Sequence, residues 1–147
     1  MNILLSACLL GVACRYDGRS KAYPMMEELC RQYHVVPVCP EIMGGLPTPR
    51  TPAERLGDRV ITKSGGDVTE NYDRGAQQML HLARTLGCTV AVLKERSPSC
   101  GSGQIYDGTF TGTLTDGWGV AAQLLRENGI RVLGESQLAA FLEESQE

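Results

Sequence analysis

Three of the six cysteines in this 147-residue chain follow apolar runs that predict β-strands. Cys8 closes the apolar start of the chain, Cys39 follows a valine-rich run, and Cys100 lies in a short loop after a third run. In an open parallel sheet, ligands bind in the crevice outside the carboxyl ends of the strands, so thiols at three such ends can converge. The sequence therefore predicts a metal site that is held by three thiolates and has one open position.

The remaining cysteines fit other roles. Cys30 lies on the apolar face of a predicted helix, where a free cysteine behaves as a small hydrophobic residue. Cys88 begins a predicted strand at its amino end, on the edge of the sheet opposite the proposed site. Cys14 shares a loop with Cys8, and the sequence leaves three roles open for it: a fourth ligand, a sulfur acceptor or a packing residue.

The donor types narrow the choice of metal. The chain has no Cys-x-x-Cys pair, so it is not a zinc ribbon. Soft thiolates favour zinc, copper(I) or iron–sulfur clusters. Of the two histidines, His34 begins a strand at the wrong end and His81 lies in the middle of a helix. Three cysteines around an iron–sulfur cluster would leave one iron open to a substrate.

Glu41 and Ser97 are the candidate acid–base groups. Glu41 lies in a segment rich in proline and glycine just after one of the three thiols, where a carboxylate is a plausible proton shuttle. Ser97 and Ser99 offer hydroxyl groups beside Cys100, although either can instead serve only to order the loop. Arg50 can clamp a carbonyl or a carboxylate, or it can be a solvated arginine.

These residues must be positioned by elements that alternate between strand and helix. The predicted helices begin near Pro24, Asp67, Asp116 and Ser136, and Asp67 with Glu70 resembles a capping box. The segment 39–50 holds three prolines and two glycines, so it is predicted to be irregular. The predicted strands are 1–7, 34–38, 59–63, 88–93 and 130–133.

This order predicts an α/β fold: one three-layer domain over residues 1–147, with a mainly parallel, Rossmann-like sheet and helices on both faces. Residues 105–115 alternate around Asp107-Gly108, which predicts a β-hairpin excursion.

Composition excludes several classes of protein. Fourteen Lys and Arg residues are scattered among 17 Asp and Glu, the net charge is −3, and no basic field would attract nucleic acid. No Lys or Arg precedes Arg15, so the apolar start does not fit an export signal, and no run reaches the length of a membrane helix. We expect a soluble cytoplasmic protein without a membrane partner, in which cysteines serve metal binding or catalysis more often than disulfides.

Six motifs, taken together, resemble the thiouracil desulfurase family, and they span nearly the whole chain. They are Ser6-Ala-Cys-Leu-Leu-Gly11, Cys14-Arg-Tyr-Asp-Gly18, Pro37-Val-Cys-Pro-Glu41, Gly44-Gly-Leu-Pro-Thr-Pro-Arg50, Gly66-Asp-Val-Thr69 and Ser97-Pro-Ser-Cys-Gly101. The resemblance implies a 4Fe-4S cluster held by Cys8, Cys39 and Cys100. It also implies a non-redox reaction that converts a thiolated pyrimidine, such as 2-thiouracil or 4-thiouracil, to uracil and hydrosulfide.

By the same resemblance, the thione sulfur binds the open iron, which acts as a Lewis acid. Water activated by Glu41, with help from Ser97, adds to the carbon, and sulfide leaves. Two other classes remain as alternatives. A thiol redox enzyme would use Cys8 and Cys14 as a reversible pair, whereas a non-catalytic iron–sulfur sensor or sulfide carrier would hold its cluster with four cysteines.

Overall fold

The computed structural model describes residues 1–144, which form eight strands, five α-helices and two short 3₁₀ turns. The strands are β1 (Asn2–Ser6), β2 (His34–Val38), β3 (Ala53–Leu56), β4 (Arg59–Thr62), β5 (Val90–Leu93), β6 (Gln104–Tyr106), β7 (Leu114–Asp116) and β8 (Arg131–Gly134). The helices are α1 (Met26–Gln32), α2 (Pro40–Met43), α3 (Thr69–Thr85), α4 (Val120–Glu127) and α5 (Leu138–Glu144). The 3₁₀ turns are Ala7–Leu10 and Glu135–Gln137.

The central sheet has four parallel strands in the order β2-β1-β5-β8. All four residues of β5 are buried, as is typical of a parallel strand that is covered on both faces. Such strands are continuous apolar runs, which is why the sequence marks them clearly. The prediction of an α/β fold with a mainly parallel sheet is confirmed.

Helices cover both faces of this sheet. On one face, α3 and α4 pack onto the sheet through small and apolar side chains such as Ala83, Ala121 and Leu125, all of which are fully buried. On the other face, α1 contributes Leu29 and α5 contributes Phe141 among its buried residues. The result is a three-layer arrangement that leaves the carboxyl edge of the sheet open. Within residues 1–144, no helix is long and apolar enough to cross a membrane.

Two two-stranded hairpins accompany the sheet, β3 with β4 and β6 with β7, both antiparallel. The second is the predicted excursion, and the loop that connects its strands is residues 107–113. The first was predicted only in part, because β3 has no alternation of apolar residues and follows closely on three prolines.

The prediction that 39–50 is wholly irregular is wrong, because α2 forms one helical turn within it. Proline at the first position of a helix loses no hydrogen bond, since that N–H has no partner within the helix. Pro40 occupies this position and Cys39 is the N-cap. The proline that was expected to prevent helix formation therefore begins the helix.

The predicted positions of the helix caps agree less well with the structure than the predicted helices do. The capping box of Asp67 and Glu70 does not form, because α3 is preceded by Val68 as N-cap. Asp67 instead accepts the N–H of Thr69 at 2.9 Å and pairs with Arg59.

The other predicted starts also differ from the structure. Asp116 ends β7, and Gly119 is the N-cap of α4. Ser136 lies inside a 3₁₀ turn, and α1 starts two residues after Pro24. The buried faces of α3, α4 and α5 nevertheless carry apolar residues at helical spacing, because apolar periodicity depends on burial rather than on caps.

Candidate active site

A cavity of about 550 Å³ opens at the carboxyl edge of the sheet. The structure brings all the residues predicted for the site to this cavity, together with Cys14. The residues are Cys8, Cys39, Glu41, Ser97 and Cys100. We call this part of the cavity the floor: the three predicted thiols, together with the strand ends that precede them.

Cys8 belongs to the 3₁₀ turn that follows β1 and is 7% exposed. Its carbonyl oxygen accepts the N–H groups of Gly11 and Lys21, which fold the next loop back over the turn. Burial raises the pKa of the Cys8 thiol to about 11, although the positive charge of Lys94 acts in the opposite direction. The thiol therefore keeps its proton near neutral pH unless a metal takes the proton's place.

Cys39 lies directly after β2 and caps α2, where its carbonyl oxygen accepts the N–H of Met43 at 2.9 Å. The turn is pressed against α3, and a Cβ atom at Gly75 would lie 1.9 Å from the carbonyl oxygen of Pro40. Only glycine permits this approach. The position of Cys39 is thus set by helix packing as well as by the strand.

Cys14 is buried beside Cys39. The Cys39 thiol donates to the carbonyl oxygen of Cys14 at 3.8 Å, and the two thiols contact each other. Burial, followed by the neighbouring Cys39, raises the pKa of Cys14 to about 12. Cys14 is therefore part of the site, and its role there stays open.

The loop that carries Cys100 is organised by Ser97. The Oγ atom of Ser97 accepts the N–H groups of Ser99 at 3.1 Å and Cys100 at 3.2 Å, and the Ser97 carbonyl oxygen accepts the N–H of Gly101. Burial raises the pKa of Cys100 to about 12, while hydrogen bonds from Ser6 and Ser99 act to lower it. Ordering of the loop is thus one function of Ser97 in the structure.

The same loop is attached to the start of α4. The N–H groups of Val120 and Ala121 donate to the carbonyl oxygens of Pro98 and Ser99 at 2.8 and 2.9 Å. A Cβ atom at Gly119 would lie 2.4 Å from the backbone of Ser99, so glycine is needed there. Cys100 lies in the loop after β5, but the hydrogen bonds of this loop to α4 hold it in place.

Glu41 is held between two side chains. Nη2 of Arg50 lies 3.2 Å from Oε2 of Glu41 and 2.9 Å from the carbonyl oxygen of Cys14, and the Tyr72 hydroxyl donates to Oε1. The Arg50 side chain is only 5% exposed, so it clamps the carboxylate and is not solvated. Burial and the charge of Glu41 raise the pKa of Tyr72, which keeps this phenol a hydrogen-bond donor.

The sequence analysis did not single out Tyr72 as a residue of the site. The available signal was its hydroxyl group, since a buried tyrosine usually has a hydrogen-bond partner. The carboxylate that supplies this partner lies 31 residues away along the chain.

The other cysteines and the histidines lie outside the cavity. Cys88 is buried in the apolar cluster beneath α3 and α4, as expected. The prediction that Cys30 is a core residue is wrong, because it is exposed. The short helix α1 buries only Leu29, so its buried face is narrower than the apolar spacing suggested. His34 and His81 are both exposed.

The donor set suits a cluster of several metal ions. Among the described residues, no three His, Cys, Asp or Glu side chains are arranged to share a single metal ion. A 4Fe-4S cluster does not need three side chains around a single metal ion, because each thiolate binds a different iron. Three thiols line one cavity, those of Cys8 and Cys100 buried and that of Cys39 partly buried, and they supply soft ligands of the type that iron–sulfur clusters use.

The wall opposite the floor is built by the two hairpins, and we call it the roof: β3 with β4, and β6 with β7 including the loop 107–113. It brings Tyr106, Phe110 and Glu54 to the cavity. None of these residues was singled out from the sequence, because nothing in the spacing of the chain indicates that the two hairpins meet.

Comparisons with known proteins identify relatives of the whole chain. A family model described as 2-thiouracil desulfurase matches residues 3–137. The uncharacterized protein YbbK of Bacillus subtilis (strain 168) is 44% identical over 150 residues, which cover 95% of this chain and 99% of that protein. A solved structure described as the 4Fe-4S-dependent thiouracil desulfidase TudS has a TM-score of 0.92 and 48% identity, with 99% of each chain covered.

Proposed function

The chain belongs to the 2-thiouracil desulfurase family, as its motifs indicated, and from this premise we propose that it converts thiolated pyrimidines to uracil and hydrosulfide. The substrates of this proposal are compounds of the 2-thiouracil and 4-thiouracil type. The observation that carries the proposal is that three thiols and a clamped carboxylate line one cavity. Such a site combines soft metal ligands with a group that can move a proton.

Cys8, Cys39 and Cys100 are the residues that would hold the cluster. The solved relative is described as 4Fe-4S-dependent, and the three thiols line the same cavity as Glu41. When bound through three cysteines, a 4Fe-4S cluster supplies one iron with an open position, which is a Lewis acid for a thione sulfur.

Glu41 is the proposed general base. A carboxylate has about four lone-pair sites, and the contacts with Arg50 and Tyr72 use two of them, so Glu41 can still accept a hydrogen bond from a water molecule. Glu41 would take a proton from that water as the water adds to the thiocarbonyl carbon. Arg50 and Tyr72 fix the direction of the carboxylate, so they act as positioning residues.

Ser97 is proposed to assist Glu41 in the addition of water. Its oxygen already accepts two backbone N–H groups, so its own proton remains to be donated. That proton can go to Ser99 or to a polar atom of the substrate. The overall reaction consumes one water and releases hydrosulfide, so it needs neither an oxidant nor a reductant.

One observation favours the alternative of a thiol redox enzyme, namely the contact between Cys14 and Cys39. The pair seen in contact differs from the Cys8 and Cys14 pair that the sequence suggested. All six cysteines are free thiols, which also supports our inference of a cytoplasmic location.

An anaerobic assay with 2-thiouracil tests the proposal. The protein reconstituted with iron and sulfide should release uracil and sulfide in equal amounts without a reductant. Protein from which a chelator has removed the iron is the control and should be inactive. Activity in the iron-free protein, or activity that depends on a reductant, would support the redox alternative instead.

A further inference from the structure

Phe110 lines the cavity from the roof and has an unusual backbone conformation, with φ at +58°. This left-handed region disfavours bulky side chains because the Cβ atom approaches the following carbonyl oxygen. A glycine or an asparagine would adopt it at lower cost. Strained residues of this kind persist only where the surroundings impose the conformation, and they cluster at ligand sites.

Glu54 of β3 imposes the conformation. Its Oε1 atom accepts the N–H groups of Gly108 at 2.9 Å and Phe110 at 3.2 Å. Gly108 lies so close to Leu56 that an added Cβ atom would be 3.1 Å from that side chain. One carboxylate oxygen on the first hairpin therefore holds the loop of the second hairpin.

The loop does not need the phenyl ring for its own order. The N–H of Asp107 donates to the carbonyl oxygen of Thr113, and hydroxyl groups of Thr109, Thr111 and Thr113 form a chain with contacts of 2.6 and 2.8 Å. Neither of the two apolar clusters found within residues 1–144 includes Phe110. The ring thus has no structural role in the core, yet it occupies a position where a smaller residue would be easier to accommodate.

We propose that Phe110 is the surface on which the flat ring of the pyrimidine stacks, and that Glu54 is a positioning residue that acts through it. The inference rests on the proposed function, since it concerns the substrate of the same cavity. Aromatic rings stack on nucleobases with little dependence on the substituents of the base. Phe110 would therefore set the position of the ring while the floor acts on its sulfur.

The test uses the iron-loaded protein and two ligands, 2-thiouracil as the substrate and uracil as a probe that keeps the ring but lacks the reacting sulfur. Phe110→Asn should raise KM for 2-thiouracil and the calorimetric Kd for uracil by about 5–150-fold, the loss expected for one stacked base. Its unfolding temperature should equal or exceed that of the parent, because asparagine tolerates the left-handed backbone. Phe110→Leu, which keeps the bulk and the strain but lacks the flat face, should weaken both constants too.

Four further variants distinguish a positioning role from a general disruption of the loop. Thr111→Ala interrupts the chain of hydroxyl groups on the same loop outside the cavity lining and should leave both constants unchanged. Glu54→Ala should raise them as Phe110→Asn does, whereas Glu54→Gln, which keeps an acceptor oxygen, should largely retain the parent values. The double variant Glu54→Ala/Phe110→Asn should be no worse than either single variant, since both remove one interaction.

Unchanged Kd and KM in Phe110→Asn and Phe110→Leu would overturn the inference, as would additive effects of Glu54→Ala and Phe110→Asn. Absence of uracil binding to the parent protein would overturn it as well. Failure of the proposed function gives a different result, in which the parent binds uracil but releases none from 2-thiouracil.

Discussion

The floor and the roof face each other across one cavity, but they are built differently. The floor consists of ends of parallel strands, each fixed further by a neighbouring helix or turn. The roof consists of two short hairpins, in which the buried side chains include Val60 and Ile105, and polar groups such as Glu54 and Arg55 connect them to each other and to the rest of the domain. We therefore propose that the floor holds the metal and the base, whereas the roof determines how a substrate fits.

Changes to the floor should have the largest effects. Replacing Cys8, Cys39 or Cys100 by alanine should reduce iron from about four per chain to nearly none, because each thiolate binds its own iron. Iron analysis and the visible absorption of the reconstituted protein measure this. Activity should disappear with the cluster.

Cys30→Ala is the matched control for these variants, because Cys30 is an exposed thiol on α1 and does not line the cavity. It should retain the iron and the activity of the parent. If Cys30→Ala lost iron as Cys39→Ala does, or if Cys39→Ala kept it, the ligand assignment would be wrong.

A change at the base should be the next largest. Glu41→Gln keeps the shape of the side chain and can still accept from Tyr72, but it cannot take a proton. General acid–base groups contribute about 10²–10⁴-fold, so kcat should fall by at least about 10²-fold. Iron content should not change, and kcat at full iron loading equal to that of the parent would exclude Glu41 as the base.

Removal of the clamp should affect stability as well as turnover. Arg50→Met leaves the mostly buried Glu41 carboxylate without its cation, and breaking a buried ion pair of this kind costs about 3–5 kcal/mol. Urea denaturation measures the change. In the background of Glu41→Gln, the same substitution should cost clearly less, and equal costs in both backgrounds would show that the pair is not coupled.

Cys14→Ser should have the smallest effect on iron, because only three protein ligands are proposed. The variant should hold as much iron as the parent even if its turnover falls. Loss of the cluster in this variant would make Cys14 a fourth ligand. The open position on iron would then not exist.

The comparison of floor and roof also explains what the sequence predicts and what it misses. β1, β2 and β5 are nearly continuous apolar runs of one parallel sheet, so both their existence and the edge to which they bring the thiols follow from the pattern. The strand β3 is four residues long without an apolar period, and no local signal marks it. Its contact with the loop 107–113 depends on pairing between distant segments, which spacing along the chain does not encode.

Two residues illustrate the same limit at the site. Arg50 was ambiguous because a clamp and a solvated arginine have the same local sequence, and only the contact with Glu41 separates them. Tyr72 carries the spacing of a core residue, and it is one, yet its hydroxyl also contacts the proposed base. The ligand and base roles of Cys8, Cys39, Cys100, Glu41 and Ser97 remain predictions for the variants above to test.

The most direct measurement of the central claim is a Mössbauer spectrum of protein reconstituted with iron-57, recorded with and without 2-thiouracil. The Glu41→Gln variant suits it, because slow turnover should preserve the bound substrate. If three cysteines hold the cluster and one iron is open, about one quarter of the iron signal should change when the thione binds. A spectrum that is unaffected by 2-thiouracil would contradict the proposal that the thione sulfur binds an open iron.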